Sequence, residues 1–294
     1  MNLNQKVSRK FYNKRDYFID WDKKVIVLSD VLFEQLKNGG KFSKYKKIGG
    51  SSVGDILIKN NIFKSEFKAF LHITRLKMPV LSKKYINAGV ILEPKIFDVL
   101  KKAQPSWQIE HIEAEKVNYD YFYDIDEVIG GVPDGFSKPL KMVFEIKTAG
   151  EKKYEDWTKN NNIDPSYLKQ SQLYCYLMSK KLNEKIDKFS IVALFLKDDK
   201  ENNINDYEKP EFVNLYERKL QTFSYKVNEN QAKEDIQIIK EWYFKYTNQK
   251  ESPNFDEVSN YDDLEYLKCE TEQEWINLLN KWKNEGKADK DCQP

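Results

Sequence analysis

Two carboxylates and a lysine between residues 126 and 150 have the types and spacing expected of a divalent-cation site. The segment reads DEVIGGVPDGFSKPLKMVFEIKTAG, and it contains Asp134, Glu145 and Lys147. Mg²⁺ prefers carboxylate and carbonyl oxygens with retained waters, and a lysine beside it can orient or deprotonate a water and offset charge growing on a phosphoryl group. These residue types therefore indicate metal-assisted hydrolysis of a phosphodiester.

A β-hairpin is the element that would bring these side chains together. Two β-prone runs flank a turn predicted around Ser137–Pro139. With that turn, Asp134 falls opposite Glu145, and Glu145 shares one strand face with Lys147. The other face of the strand is apolar and would anchor it in the core at a sheet edge or cleft through Phe144 and Ile146.

The Glu-x-Lys spacing alone carries little information. It occurs six times in the chain, beginning at Glu66, Glu93, Glu145, Glu151, Glu217 and Glu285. Only the copy at Glu145 lies in an apolar β-prone run with PDG upstream on the predicted partner strand. The alternative interpretation is a surface ion pair across a hairpin, which would contribute little stability.

Two predicted helices carry polar residues that could reach the hairpin. In NAGVILEPKIFDVL, Gly89 precedes a predicted helix, and Glu93 lies about one turn before its core-facing residues. Asp164 and Pro165 form a cap-plus-first-turn signal for a second helix, which runs to about Lys180 and carries Gln170. As isolated helix residues, Glu93 and Gln170 would both be solvated surface groups.

A third block, GGSSVGDIL, supplies glycines followed by two serines. Ser51 and Ser52 are candidate N-caps of a predicted helix whose free N–H groups could accept an anion. The alternative is a capped helix with no ligand.

PDGF followed by FEIK resembles the PD-(D/E)xK nuclease signature, and the flanking blocks are similar to the YqaJ-type viral recombinase branch that includes phage lambda exonuclease. Four blocks occur in order: KIGGSSVGDIL, NAGVILEP, VPDGF with FEIK, and DPSYLKQSQLYCYLM. Together they cover roughly residues 45 to 225. The resemblance implies an α/β, restriction-endonuclease-like core in which a central mixed β-sheet is flanked by helices.

The resemblance also implies roles for individual residues. Asp134, Glu145, the Ile146 carbonyl and Glu93 would hold one or two Mg²⁺, with Mn²⁺ as a substitute. Lys147 and the first glutamine of the YLKQSQLYCYLM block would position the attacking water. That glutamine is Gln170, with Gln172 as the second choice.

Substrate contacts follow from the same resemblance. Ser51 corresponds to the serine that contacts the terminal 5′-phosphate in lambda-type exonucleases, and Ser52 stands beside it. A family arginine upstream of that serine is replaced by a lysine, taken as Lys44, and Arg75 is an alternative phosphate contact. A lysine neutralises phosphate as a point charge without bidentate geometry, so a strict requirement for a phosphorylated 5′ end is not supported.

The chain divides by pattern into three segments: an N-terminal lead-in at 1–45, a nuclease domain at 46–227, and a helical, acidic C-terminal extension at 228–294. Net charge is +2 overall, but residues 1–250 carry +9 and residues 251–294 carry −7. A basic body suits a polyanion such as DNA, although lysine-rich composition alone gives the same charge. Neither an export signal nor a membrane-spanning run is recognised, so the protein is expected in the cytoplasm.

Three cysteines without a CxxC pair and two histidines far apart in the chain exclude familiar cysteine or histidine metal clusters. His72 and His111 are expected to be structural or exposed. A GxxxxGK[ST] loop is also absent from the sequence, which disfavours an ATP-driven motor.

The expected function is metal-dependent DNA hydrolysis. The resemblance implies a double-strand 5′-to-3′ exonuclease that feeds a single-strand annealing protein in recombination and assembles as a homotrimer. One alternative is a structure-specific or restriction-type endonuclease with the same site. Another is a DNA-binding module that keeps the fold without catalysis.

Overall fold

The computed structural model of the protein describes residues 5–50, 52–59, 61–199, 201–202 and 204–294. These residues fall into two compact units. The first unit is drawn from the ranges Met1–Ile48, Ile58–Lys83 and Ile239–Pro294, and the second from Gly49–Leu57 and Lys84–Ile238.

This grouping differs from the three consecutive segments predicted by pattern, because both ends of the chain contribute to the same unit. Gln5–Lys6 pairs in parallel with Cys292–Gln293. Such pairing joins residues almost a whole chain length apart, and local sequence patterns carry no signal for it.

The strands in the described residues are β1 (Gln5–Lys6), β2 (Tyr17–Asp20), β3 (Val25–Leu28), β4 (Ile109–His111), β5 (Gly135–Ser137), β6 (Met142–Gly150), β7 (Lys188–Leu196), β8 (Asp198–Asp199), β9 (Ile204–Asn205), β10 (Lys219–Lys226) and β11 (Cys292–Gln293).

The α-helices in the same residues are α1 (Asp30–Asn38), α2 (Ser52–Leu57), α3 (Glu66–Ile73), α4 (Lys84–Ala103), α5 (Tyr154–Lys159), α6 (Pro165–Leu182), α7 (Glu229–Thr247), α8 (Tyr261–Lys268) and α9 (Glu272–Asn284). Short 3₁₀ turns lie at Pro105–Trp107, Ala114–Val117, Glu151–Lys153, Pro210–Phe212 and Leu215–Glu217.

The second unit is built on a five-stranded sheet in the order β10-β7-β6-β5-β4. β6 and β7 are parallel, and the other neighbours are antiparallel. β7 is buried along almost its whole length, as expected of a strand covered on both faces. The predicted α/β class, with a central mixed sheet flanked by helices, is confirmed.

Helices α4 and α6 cover opposite faces of β6. Phe144 and Ile146 lie in the apolar core formed with Leu92 and Ile96 of α4. Glu145, between them, contacts Gln170 of α6. Because successive residues of a strand point to opposite faces, the strand presents its apolar side to α4 and its polar side to α6.

Helix α4 begins earlier than predicted. Gly89 was expected to precede the helix, but the helix starts at Lys84 and includes both Gly89 and Pro94. These residues cost about 1 and about 3 kcal/mol of helix propensity relative to alanine. Tertiary packing overrides this cost, since Ala88 and Leu92 are fully buried against the sheet.

The hairpin turn also differs slightly from the prediction. Ser137 is the last residue of β5 and pairs with Met142, so the loop comprises residues 138–141. Lys141 takes the left-handed conformation with φ 50°. The register predicted for the strands is unaffected, because Gly135 pairs with Phe144.

The first unit contains the β2–β3 hairpin and helices that bury large aromatic residues. Trp275, Leu279 and Trp282 are buried on α9, and Trp275 and Trp282 contact each other edge to face. Among the helices of the described residues, none combines the length and apolar character needed to cross a bilayer.

Candidate active site

The register of the β5–β6 hairpin sets Asp134 against Glu145, as predicted. Gly135 pairs with Phe144, and Asp134 is the residue immediately before β5. The Oδ2 atom of Asp134 accepts a hydrogen bond of 2.6 Å from the N–H of Ile146. The backbone hydrogen bonds between β5 and β6 end before Ile146. The Asp134 carboxylate therefore accepts the hydrogen bond from Ile146 that a carbonyl of β5 would otherwise accept.

Glu145 lies at the centre of the site and is 1% exposed. Its Oε1 atom accepts hydrogen bonds from Nζ of Lys147 at 2.5 Å and from Nε2 of Gln170 at 2.7 Å. Its Oε2 atom is fully buried and has no hydrogen-bond partner among the described residues. Leaving a buried acceptor without a hydrogen bond costs about 1–3 kcal/mol of stability. This oxygen is therefore suited to bind a cation or accept from a donor.

The electrostatics of the three groups follow from burial and mutual contact. Burial, followed by the charge of Glu145, raises the pKa of Asp134 well above its usual range. Burial also raises the pKa of Glu145, although Lys147 opposes this shift. For Lys147, burial alone would lower the pKa, but the charges of Glu145 and Asp134 outweigh it and raise the pKa above its ordinary value.

Helix α6 supplies three side chains to this cluster at helical spacing. Gln170 contacts Glu145 as predicted, whereas the Oε1 atom of Gln172 accepts from the N–H of Asn228. Nζ of Lys147 lies 4.9 Å from the ring centroid of Tyr167, a cation–π arrangement. The hydroxyl of Tyr174 accepts a long hydrogen bond of 3.5 Å from Nε2 of Gln170.

Glu93 reaches the cluster from α4. Its charge raises the pKa of both Asp134 and Glu145, alongside the larger effect of burial. Its Oε1 atom lies 2.8 Å from Nε2 of His111 on β4. The structure therefore brings together Glu93, Asp134, Glu145, Lys147 and Gln170, all of which were predicted for the site.

Three of the four predicted phosphate contacts, Ser52, Lys44 and Arg75, lie in the described residues. Ser51 lies outside the described residues. The hydroxyl of Ser52 is buried and donates to the carbonyl of Gly49 at 2.6 Å, so it secures the loop before α2. Lys44 and Arg75 belong to the first unit, where Nε of Arg75 donates to the Lys44 carbonyl at 2.7 Å.

The carboxylates of Asp134 and Glu145 fit an Mg²⁺ ion, although protein side chains alone would not complete its coordination shell. In the described part of the chain, no group of three or more His, Cys, Asp and Glu side chains has metal-binding geometry. Mg²⁺ does not require such a group, because it is commonly held by one or two carboxylates, with waters and substrate phosphates completing its shell. The unpartnered Oε2 of Glu145, beside Asp134, matches that donor set.

Sequence reasoning missed the contributions of Tyr167 and His111. Tyr167 lies one helical turn before Gln170, on the same face of the helix. The choice of Gln170 for the site could therefore have identified Tyr167 as well. His111 was expected to be structural or exposed, yet it contacts a predicted ligand residue. No local pattern links His111 to Glu93, because their contact depends on how β4 and α4 pack.

We predict that Asp134→Asn stabilises the protein at pH 8 by about 1 kcal/mol, since a neutral side chain replaces a buried charge. The unfolded Asp134 carboxyl loses its proton near pH 4, and the folded carboxyl loses it at higher pH. Between these two pH values the folded state binds more protons than the unfolded state, so the free energy of unfolding falls as the pH rises.

Urea denaturation of both proteins at pH 5 and pH 8 would test this prediction. The difference in the free energy of unfolding between Asp134→Asn and wild type should be smaller at pH 5 than at pH 8. A wild-type protein as stable as the variant at both values would contradict the electrostatic description.

No protein-family model matches this chain, and neither does any curated protein. One similar solved structure is an alkaline exonuclease, LHK-Exo, from Laribacter hongkongensis, with 13% identity, TM-score 0.44, and coverage of 74% of this chain and 92% of that chain.

Two further structures are similar over comparable lengths. LHK-Exo in complex with dAMP has 14% identity, TM-score 0.45, and coverage of 68% of this chain and 87% of that chain. A phage-related exonuclease from Haemophilus somnus 129PT has 14% identity, TM-score 0.46, and coverage of 69% of this chain and 95% of that chain. The three structures are exonucleases by name.

Proposed function

We propose that this chain is a metal-dependent DNA nuclease, most specifically a 5′-to-3′ exonuclease of double-stranded DNA acting in recombination or repair. The observation that carries the proposal is the buried Glu145 carboxylate, which has one oxygen bound to Lys147 and the other without a partner in the part of the chain that the structure describes. The charge of +9 on residues 1–250 is consistent with a polyanionic substrate. The fold similarity to named exonucleases agrees with the proposal without carrying it.

In this proposal Asp134 and Glu145 hold a divalent cation, with the Ile146 carbonyl and Glu93 as further oxygen donors. Bound there, Mg²⁺ would act as a Lewis acid on the scissile phosphate. The buried strand and hairpin fix the two carboxylates, so their orientation is set before DNA binds. Mn²⁺ is expected to substitute for Mg²⁺.

Lys147 and Gln170 would act on the water and the phosphate. Lys147 keeps its proton in the arrangement observed, because Glu145 and Asp134 raise its pKa. It would therefore donate hydrogen bonds to the water and the phosphate, and its positive charge would offset the negative charge of the phosphate. Gln170 fixes Glu145 from the helix side and can orient the water. The water oxygen would attack phosphorus and lose its proton to solvent, while the bond from phosphorus to the 3′ oxygen breaks and that oxygen takes a proton from solvent, which gives a 5′-phosphate and a 3′-hydroxyl.

The test is a nuclease assay on end-labelled linear duplex and on covalently closed circular DNA, each with Mg²⁺ or with EDTA. We expect 5′-mononucleotides from linear duplex with Mg²⁺, and no cleavage of the closed circle. Cleavage of the circle would identify an endonuclease with the same site. DNA binding without any Mg²⁺-dependent product would identify a non-catalytic module and overturn the proposal.

The sequence resemblance extends the proposal to assembly and partners. We propose a homotrimer that works with a single-strand annealing protein. Light scattering of the purified chain would test the first part, since a monomeric mass at micromolar concentration would contradict it.

A further inference from the structure

His111 is held between two residues of helix α4. Its Nε2 atom donates to Oε1 of Glu93 at 2.8 Å. Its ring stacks on Phe97, with centroids 4.4 Å apart and planes 21° apart. Glu93 and Phe97 are four residues apart and therefore lie on the same side of the helix. One histidine thus contacts both consecutive turns of α4.

The helix is intrinsically weak where Glu93 stands. Pro94 has no N–H to donate to the carbonyl of Val90, and a residue that precedes proline is disfavoured in helical conformation. Gly89 lowers the local helix propensity further. The backbone therefore restrains Glu93 less than it would in a regular helix, and a contact from outside α4 has more influence on its position.

A glycine on the neighbouring strand makes the stacking geometry possible. Gly135 pairs with His111 in the β4–β5 ladder. A Cβ atom at Gly135 would lie only 2.7 Å from Cε1 and 2.8 Å from Cζ of Phe97. The missing side chain lets the Phe97 ring lie against the strand beside His111, one residue from Asp134.

Repulsion between carboxylates explains why Glu93 would need to be held in place. Glu93 interacts unfavourably with the carboxylates of Asp134 and Glu145. Its side chain is 29% exposed, so a rotation toward solvent would relieve that repulsion. We propose that His111 is a positioning residue that holds the Glu93 carboxylate at the Asp134–Glu145 pair. This inference rests on the proposed function, because the value of that position lies in cation binding.

Two substitutions separate the hydrogen bond from the stacking. His111→Phe keeps a ring to stack on Phe97 but removes the donor, and His111→Gln keeps an amide donor without the ring. Isothermal titration calorimetry of Mn²⁺ into the DNA-free protein is the first readout. We expect about tenfold weaker binding for His111→Phe and a loss of no more than about threefold for His111→Gln. Glu110→Gln, on the same strand and exposed, is the control and should match wild type.

A second arm tests whether His111 acts through Glu93. If it does, the double variant His111→Phe/Glu93→Gln should bind Mn²⁺ no more weakly than Glu93→Gln alone. Additive losses would overturn the inference, as would wild-type affinity in His111→Phe. Should His111→Phe fail to fold by circular dichroism, a tenfold loss in Glu93→Gln with near-wild-type binding in His111→Gln would support the inference. Unchanged binding in Glu93→Gln would then overturn it.

Nuclease kinetics distinguish failure of this inference from failure of the proposed function. We expect kcat with saturating Mg²⁺ and DNA to fall in His111→Phe and to recover in His111→Gln, with KM for DNA changing less. A wild-type protein that binds Mn²⁺ but releases no nucleotide would refute the proposed function alone. A wild-type protein that neither binds Mn²⁺ nor releases nucleotide with Mg²⁺ would refute both.

Discussion

Glu145→Gln is expected to lose Mg²⁺-dependent cleavage of linear duplex by about 10³-fold or more, while its stability stays within about 1 kcal/mol of wild type. Glutamine has nearly the shape of glutamate, and its carbonyl can still accept from Lys147 and Gln170. It replaces the unpartnered Oε2 with an amide nitrogen, which cannot bind a cation. Lys147, unlike Glu145, is partly exposed and keeps the charge of Asp134 nearby, so activity and stability should separate.

Initial rates of nucleotide release and thermal unfolding, measured on the same preparation, would check this prediction. Glu285→Gln is a matched control, because it alters another Glu-x-Lys copy, at the end of α9 in the first unit. The control should cleave at the wild-type rate. A Glu145→Gln protein that keeps a tenth of wild-type activity would remove Glu145 from the catalytic site.

Lys147→Met has the second largest expected effect, because it leaves the Glu145 charge buried without its main partner. The Glu145 side chain is 2% exposed and that of Lys147 is 19% exposed. Removing one member of a buried pair costs about 3 kcal/mol or more, and the partial exposure of Lys147 places this case at the low end. We also expect activity to fall by about 10²-fold or more, because the donor to water and phosphate is lost.

The double variant Lys147→Met/Glu145→Gln makes the prediction specific. It removes both charges, so it should recover most of the stability lost in Lys147→Met but none of the activity. Urea denaturation at pH 8 and nucleotide release would measure the two quantities. A surface ion pair, the alternative interpretation from sequence, predicts a stability loss of only about 0–1 kcal/mol in Lys147→Met. That result would contradict the buried site described above.

The central part of the site was predictable because its geometry is local. Strand periodicity and a short turn determine which residues of one hairpin face each other, and Asp134 therefore falls opposite Glu145. The helix that carries Gln170 was equally readable, since Asp164 caps it and accepts from the N–H of Ser166 at 2.8 Å. Neither inference required knowledge of distant contacts.

Other features depend on packing between distant elements and left no local signal. Gly89 was expected to precede α4, but burial against the sheet keeps the chain helical from Lys84 onward. His111 is unremarkable in sequence, and only the approach of β4 to α4 gives it a role. The pairing of Gln5–Lys6 with Cys292–Gln293 likewise could not be read from either end alone.

The position of a bound cation tests the central proposal most directly. Crystals grown with Mn²⁺ and a short DNA duplex, with data collected near the manganese absorption edge, would locate the ion by anomalous scattering. We predict a peak bound by the carboxylates of Asp134 and Glu145, which is lost in Glu145→Gln. A cation bound elsewhere in a protein that still cleaves DNA, or cleavage that persists in EDTA, would contradict the assignment of these carboxylates to DNA hydrolysis.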